Sequence, residues 1–484
     1  MRVAVLGAGQ AGLTAAYRLT KLGHGADVYE RWPGLGGQAA TIDVGDGVLV
    51  ERYYHHLFTS DRDMADLCAE IGCELETWPS SVSIFRRGEL HPFTTPADLL
   101  RFKPMSPPSR IRMGLGALWL QKRAHSVEPY EGITIRQWVE KAMGGQAWEH
   151  VWGPLLYGKF RDQADEISMS WLWAKLRNRR QVSGEEAKGE LLVYPKGSFE
   201  SIFVRLRDLI EAQGGRVLID RPAARVARDA GGRFLVTPAA PDSFRRGHDP
   251  RRFEAAGDPE RYDAVIAALP TDVFEQLLEP ELAADVGEGY LRRAGSIEYF
   301  AALCLLCEID RRFHPYYWTN VADTDLGFIG LIEQTNLVPP ERYGGRHLLY
   351  VANYLPRDHG LLELSMDELI DFYEPGMRRV NPAFERSWIK QSWMFREPAA
   401  QPVVLPNYRD RMPPYETGVP GLMLANTTQV YPDDRGTNYA VREAEEVVAA
   451  LLSGLGHVAP RVDPRFGAPA SAGQPGVPAG TAAG

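Results

Sequence analysis

Short, wholly apolar runs alternate along the chain with longer stretches in which apolar residues recur every three or four positions. The first run, VAVLG, lacks polar alternation and is too short for a helix, so it predicts a strand buried on both faces. AGLTAAYRLTKLG follows with helical spacing, and Gly23 stands where a left-handed cap would close the helix. ADVYE is a second buried strand and completes a β-α-β unit. The pattern returns in mid-chain. Ser198 to Ala212 predicts a helix, two glycines at 214 and 215 lead into the strand RVLID, and YDAVIAALP is a further buried strand. It returns again near the end, where GLMLAN predicts a parallel strand and TNYAVREAEEVVAALL the helix after it.

Other material fills the gaps. A tryptophan-rich helical region runs from about Ile133 to Arg180. From Leu291 to about Pro402, strand-like runs (SIEYFAALCLLCEI, GFIGLIEQ, HLLYVANYL) surround one or two helices. Pro241 to Tyr262 is polar and turn-rich, and reads as a mobile hairpin tip. Residues 458–484 are rich in Ala, Gly and Pro without apolar periodicity, and read as a disordered tail. The expected class is α/β (α+β overall), with two discontinuous domains. A Rossmann-type nucleotide-binding domain would use residues 1–95, 190–288 and 403–457. A mixed-sheet and helical substrate domain would use 96–189 and 289–402.

Composition narrows the function. The net charge of −9 on 484 residues argues against nucleic acid as a partner, although a local arginine cluster can still hold an anionic ligand. The four cysteines are too few for a disulfide framework, and Met1 leads directly into the first strand, so a reducing cytoplasm is expected. Cys304 and Cys307 have redox spacing, but in a strand residues three apart point to opposite faces, so packing is expected and no metal site. No apolar run approaches the roughly 18 residues of a membrane span. The segment MGLGALWL, Met113 to Leu120, is flanked by Arg110, Arg112, Lys122 and Arg123. It reads first as a substrate-domain helix and second as a point of peripheral membrane contact.

The chemistry begins at GAGQAG, Gly7 to Gly12. Gly7 permits a tight strand-to-helix turn, Gly9 lets backbone approach a pyrophosphate, and Gly12 allows close helix packing. The loop, with Gln10 and Ala11, then presents helix N–H groups to the phosphates. Glu30 ends the second strand, where an acid binds ribose hydroxyls and repels a 2′-phosphate; Arg31 follows it. A second glycine pair, Gly36 and Gly37, lies in ERWPGLGGQ. It would let backbone run along the ADP portion of a longer cofactor than NAD.

The run from VAVLGAGQAGLTAAYRL through YERWPGLGGQAAT resembles the FAD-binding start of the flavin amine oxidase and protoporphyrinogen oxidase superfamily, whose relatives include phytoene desaturases and UDP-galactopyranose mutases. The family usually has Arg after the glycine pair; here it is Gln38. RVLIDRPAARVA resembles the family's middle strand pair, which places Ala223 at the adenine end. PGLMLANTTQVYPDDRGTNYAVREAEEVV resembles the C-terminal flavin motif. There Asn426 replaces an Asp near the ribityl phosphate, and Gly436, Thr437 and Asn438 open a helix aimed at the flavin pyrimidine. The implied cofactor is FAD and the implied partner a small-molecule substrate.

Candidate groups near the flavin are His55, His56, Glu333, Tyr317 and Arg435. HHLFTSD resembles a flavin-side segment of galactopyranose mutases, with Thr59 in register. Glu333 is a carboxylate in the apolar run GFIGLIEQ, and must be paired, exposed or functional. Tyr316, Tyr317 and Trp318 would form an aromatic wall. The expected activity is removal of hydride from a small molecule or biosynthetic intermediate to flavin N5, by an oxidase, dehydrogenase or desaturase. The alternative is a redox-neutral mutase on a nucleotide sugar or glycan precursor, with Arg435 on its phosphate.

Overall fold

The computed structural model describes residues 1–178, 190–240 and 253–457, and shows mixed helices and sheets. Its organising element is a five-stranded parallel sheet in the order Arg216–Leu218, Gly25–Tyr29, Arg2–Leu6, Ala264–Ala267, Leu422–Leu424. Both faces are covered, which is why these strands read as unbroken apolar runs. The helix Gln10–Lys21 packs against the helices Glu200–Ala212 and Thr437–Gly454. From the central strand the chain winds outward to one side, then returns to fill the other. The reversal lies between Arg2–Leu6 and Ala264–Ala267, and a ligand crevice forms at such a point, outside the carboxyl ends of the strands.

A seven-stranded sheet forms the second layer, in the order Ile389–Pro402, Tyr299–Ile309, His347–Leu355, Gly330–Glu333, Trp318–Val321, Val82–Arg86, Glu89–Pro92. All its pairings are antiparallel except that of Trp318–Val321 with Val82–Arg86. The last two strands were expected with the nucleotide-binding segment 1–95. Their ladder partner, however, is Trp318–Val321, and long-range pairing of this kind leaves no trace in local sequence. Cys304 packs into the core shared with the parallel sheet and Cys307 into the core on the opposite face, as their three-residue spacing requires.

The tryptophan-rich region is helical, including Ile135–Ala142, Gly153–Phe160 and Met169–Asn178, and has its own apolar core. MGLGALWL lies within the helix Pro107–Lys122. Among the described residues no helix is long and apolar enough to cross a membrane. The expected hairpin tip ends in a strand, Glu260–Tyr262; its residues 241–252, and the tail 458–484, lie outside the described residues.

Candidate active site

The crevice beyond the parallel strands is a cavity of about 530 Å³. Glycine-rich backbone forms part of its wall. Gly7 adopts φ +101°, and a Cβ there would lie 2.7 Å from the Ala268 carbonyl oxygen. A Cβ on Gly12 would lie 1.9 Å from the carbonyl oxygen of Gly7, so the helix can enter this close only with glycine. The helix Gln10–Lys21 has Gly9 as its N-cap, with no side-chain cap, so its first N–H groups are left for a ligand. The helix Thr437–Gly454 begins in the same way, with Gly436 as an uncapped N-cap. Gly436 and Thr437 line the same cavity as Gly9 and Gln10.

The second glycine pair has a different origin from the one expected. Gly36 N–H donates to the Ala8 carbonyl at 2.8 Å, and Gly36 bridges to Gly9 in parallel fashion. Gly36 has φ +97°, and a Cβ there would lie 2.3 Å from the Phe203 ring. A Cβ on Gly37 would lie 3.1 Å from the Cα of Gly9. The pair therefore docks one phosphate-facing loop against the other. Its glycines answer to protein neighbours as much as to the open cavity.

Glu30 lines the cavity and is buried, its carboxylate accepting the N–H groups of Ala8 at 2.7 Å and Trp32 at 2.8 Å. Burial raises its pKa; the two backbone donors and Arg31 partly offset this. Ala11, Arg31, Gln38 and Ala223 also line the cavity. Gln38 brings no charge. It donates to the Ala399 carbonyl at 2.9 Å and accepts from Arg435 at 3.4 Å, tying the glycine loop to the large sheet.

Arg52 is a further cation on this side, and sequence reasoning missed it. It donates to the Gly37 carbonyl at 2.7 Å and stands over the Trp32 ring at 5.3 Å. Its Nε is buried without a hydrogen-bond partner, as are Gln10 Oε1 and Glu443 Oε1 on the same wall. Buried polar atoms are seldom left unpaired, so these three mark the cavity as a place for a polar ligand.

Two expected ligand side chains are already engaged. Asn426 donates to the Leu269 carbonyl at 2.8 Å and to Thr271 Oγ1 at 3.2 Å, and its oxygen accepts from the N–H and hydroxyl of Thr428. This capping pattern shapes the loop wall. Asn438 donates to Asp63 at 3.1 Å and accepts from the Met64 N–H at 3.0 Å. Each side chain holds its segment in place, so contact with a ligand there falls to neighbouring backbone.

A family model described as flavin containing amine oxidoreductase matches residues 10–451, nearly the whole described chain. The chain belongs to this family. Its cofactor is FAD, and the cavity fits that group: two uncapped helix N-termini, a glycine-lined approach and an underused arginine face one space. The 15-cis-phytoene desaturase of Synechococcus elongatus is 28% identical over 300 residues, covering 57% of this chain and 60% of that protein. The mitochondrial protoporphyrinogen oxidase of Nicotiana tabacum is 27% identical over 198 residues, covering 39% of this chain and 38% of that protein. The chain thus spans less than two thirds of either relative. The crystal structure of a reduced UDP-galactopyranose mutase shares the fold, with TM-score 0.69 at 14% identity over 93% of this chain and 95% of that one.

A second cavity, of about 200 Å³, shares Gln38, His55, Glu397, Arg435, Gly436 and Thr437 with the first. His55 stands where the two meet. Its Nδ1 lies 2.6 Å from the Tyr53 carbonyl, and a carbonyl only accepts, so Nδ1 carries the proton and Nε2 is left as an acceptor. Burial lowers the His55 pKa to about 4, so the ring is neutral. His56 also lines this cavity and bonds to the Tyr317 hydroxyl at 2.9 Å. Tyr317 is buried behind it and lines neither cavity; of the expected aromatic wall, only Trp318 lines the second.

Arg435 lines both cavities, and its guanidinium is bound to Tyr354 Oη at 2.6 Å and Gln401 Oε1 at 3.0 Å. Beside it, Asp434 accepts from Lys159 at 2.8 Å and Lys175 at 3.1 Å. Burial lowers Lys159 to about 7 despite this partner. Burial also pushes Asp434 upward, but the two lysines outweigh it and hold the carboxyl below its usual range. Neither lysine was legible as a site residue; each sits in a helical stretch whose pattern records packing alone.

Glu333 requires a correction. It lines neither cavity. Fully buried at the end of its strand, it accepts the N–H groups of Phe313 at 3.1 Å and His314 at 2.9 Å, and so closes the turn before Trp318–Val321. Burial raises its pKa to about 7. The cost of an acid in an apolar strand is met by backbone donors. Thr59 is exposed and lines neither cavity.

Proposed function

We propose that the chain is an FAD-dependent oxidoreductase that removes hydride from a small-molecule or biosynthetic-intermediate substrate bound in the second cavity. The observation that carries this reading is the shared wall. The uncapped N-terminus at Gly436 and Thr437 faces both spaces, so a group held in the larger cavity meets whatever occupies the smaller. When bound, FAD supplies a two-electron acceptor at N5.

The remaining work belongs to the protein. The uncapped helix N-terminus at Gly9, with the Gly36–Gly37 loop docked on it, would hold the pyrophosphate, with Arg52 as a nearby cation and Glu30 at the ribose. The helix beginning at Thr437 turns its positive end toward developing negative charge. Neutral His55 offers Nε2 as an acceptor for a substrate hydroxyl or ammonium proton. Tyr54, Trp318 and Tyr354 provide aromatic walls that exclude water, and Lys159, Lys175 and Asp434 supply a charged cluster on the same wall. Of the groups that suggested a sugar-nucleotide mutase, His55, Arg435, Gly436 and Thr437 line the shared wall, but Thr59 is on the surface and the Arg435 guanidinium is already held by Tyr354 and Gln401.

The test is direct. Purified protein should be yellow, and anaerobic incubation with the right substrate should bleach it. Protein that lacks flavin and cannot be reconstituted with FAD overturns the cofactor site. Turnover only after prior reduction, with no net electron consumption, overturns the oxidoreductase in favour of the mutase.

A further inference from the structure

The helix Pro107–Lys122 is apolar on both sides. Met113, Gly116 and Leu120 face inward, and a Cβ on Gly116 would lie 2.7 Å from the Met143 side chain, so the inner face is closely packed. Ile111, Leu115, Leu118 and Trp119 occupy the outer face at helical spacing. Leu115, Trp119, Ile111 and the adjacent Leu100 are 55–63% exposed, the four highest values for large apolar side chains among the described residues. Leu118 is the next, at 48%. Concentrating such residues on one ridge, rather than scattering them singly, marks a surface that meets an apolar phase.

The charge around this ridge selects the phase. From Leu99 to Val127 the chain has no acidic residue, although its net charge is −9. The same stretch carries Arg101, Lys103, Arg112, Lys122 and Arg123 exposed at the edges of the ridge. Among the described residues, Lys103 alone of these has a nearby carboxylate partner, Glu89, at 3.8 Å. A second copy docked by two-fold symmetry would set these cations against themselves. An anionic bilayer meets both halves of the pattern: acyl chains receive the apolar ridge and lipid phosphates receive the cations.

We propose that Pro107–Lys122 is a membrane-docking helix. It lies in the plane of an anionic lipid surface, with Ile111, Leu115, Leu118 and Trp119 inserted below the phosphates. Docking is peripheral and reversible, and it is independent of whether the reaction is oxidation or isomerisation.

The experiment is flotation of the full FAD-loaded chain with vesicles of phosphatidylcholine alone or mixed with phosphatidylglycerol. The expected result is binding to the mixed vesicles and not to phosphatidylcholine, weakening as salt is raised. The double variant Leu115→Glu/Trp119→Glu should lower binding at least about tenfold, with flavin absorbance unchanged. Lys122→Gln and Arg123→Gln should each weaken it about fivefold. Absence of binding to mixed vesicles overturns the proposal, and so does a double variant that binds as the wild type does. A double variant that changes only self-association, read by analytical ultracentrifugation, assigns the ridge to a second copy and also overturns it. Loss of flavin in the wild-type chain would count against the cofactor site instead, so the two failures are separable.

Discussion

The two adjoining cavities are built from different materials. The larger is walled in good part by glycines, helix N-termini and loops at the ends of the parallel strands, joined by Arg52, Arg357 and Glu397 from other parts of the chain. The smaller is walled by side chains from separated parts of the chain: Tyr54 to His56, Lys159, Lys175, Trp318, Tyr354 and Asp434. A backbone site suits a ligand whose recognised part is a phosphate and does not vary. A side-chain site can change its contents without disturbing the frame, which suits a fold shared by proteins with different substrates.

That difference can be broken at its strongest point. Gly12→Ala places a methyl against the Gly7 carbonyl, where neither side can yield; the expected loss is on the order of 4 kcal/mol or more, with loss of bound flavin. Flavin absorbance and thermal unfolding check it. Retention of both would show that backbone closeness does not define the larger cavity.

Glu333→Gln sharpens the comparison from outside, because Glu333 belongs to neither cavity. Folding raises its pKa from 4.5 to about 7, so the folded state holds a proton that the unfolded state releases between these values. Wild-type stability contributed at this site is therefore greatest at low pH and falls as pH rises through that window. The glutamine variant has no such slope. The stability gap between them should narrow by on the order of 2 kcal/mol from about pH 5 to about pH 8, read by denaturant unfolding, with flavin content unchanged.

Arg52→Gln tests the arginine that stands against the Gly37 carbonyl with its Nε unpaired. Loss of a charge-assisted contact should weaken FAD retention by about 2 kcal/mol, roughly thirtyfold in dissociation constant. Titration of apoprotein with FAD measures it. Unchanged affinity would remove Arg52 from the cofactor contacts.

The smallest effect is expected at Lys159→Met, which should lower flavin reduction by substrate roughly tenfold, about 1.4 kcal/mol, while leaving FAD bound. With Lys159 lowered to about 7 by burial, its charge disappears as pH rises through that value. The wild-type rate should bend there, and the variant's should not. Stopped-flow reduction across pH reads both. Loss of FAD in this variant would show that the two cavities are not separable.

The contrast also explains what could be read in advance. Gly7, Gly9 and Gly12 were legible because their requirement is local: a strand, a tight turn and a helix within a dozen residues. The C-terminal helix start at Gly436 was legible for the same reason, helped by the family resemblance. Gly36 was legible as a glycine but not in its cause, since Phe203 lies far along the chain. Glu333 was conspicuous because a carboxylate in an apolar run is costly, yet the donors that satisfy it come from a turn the sequence does not mark. Lys159 and Arg52 gave no signal at all. A lysine in a helical pattern and an arginine after a strand are ordinary until folding buries them.

The sequence by itself determined the apolar strands of the parallel sheet and the glycine turns and helix starts beside them, because periodicity, glycine freedom and helix ends act over short distances. Only the tertiary structure decided which side chains meet beyond them. It placed Arg52 against the glycine loop, His55 between two cavities, two lysines on one aspartate and Glu333 away from both. Those meetings depend on contacts from 15 residues apart, for Arg52 and Gly37, to 275 apart, for Lys159 and Asp434, and burial and neighbouring charge then set the chemistry of each group.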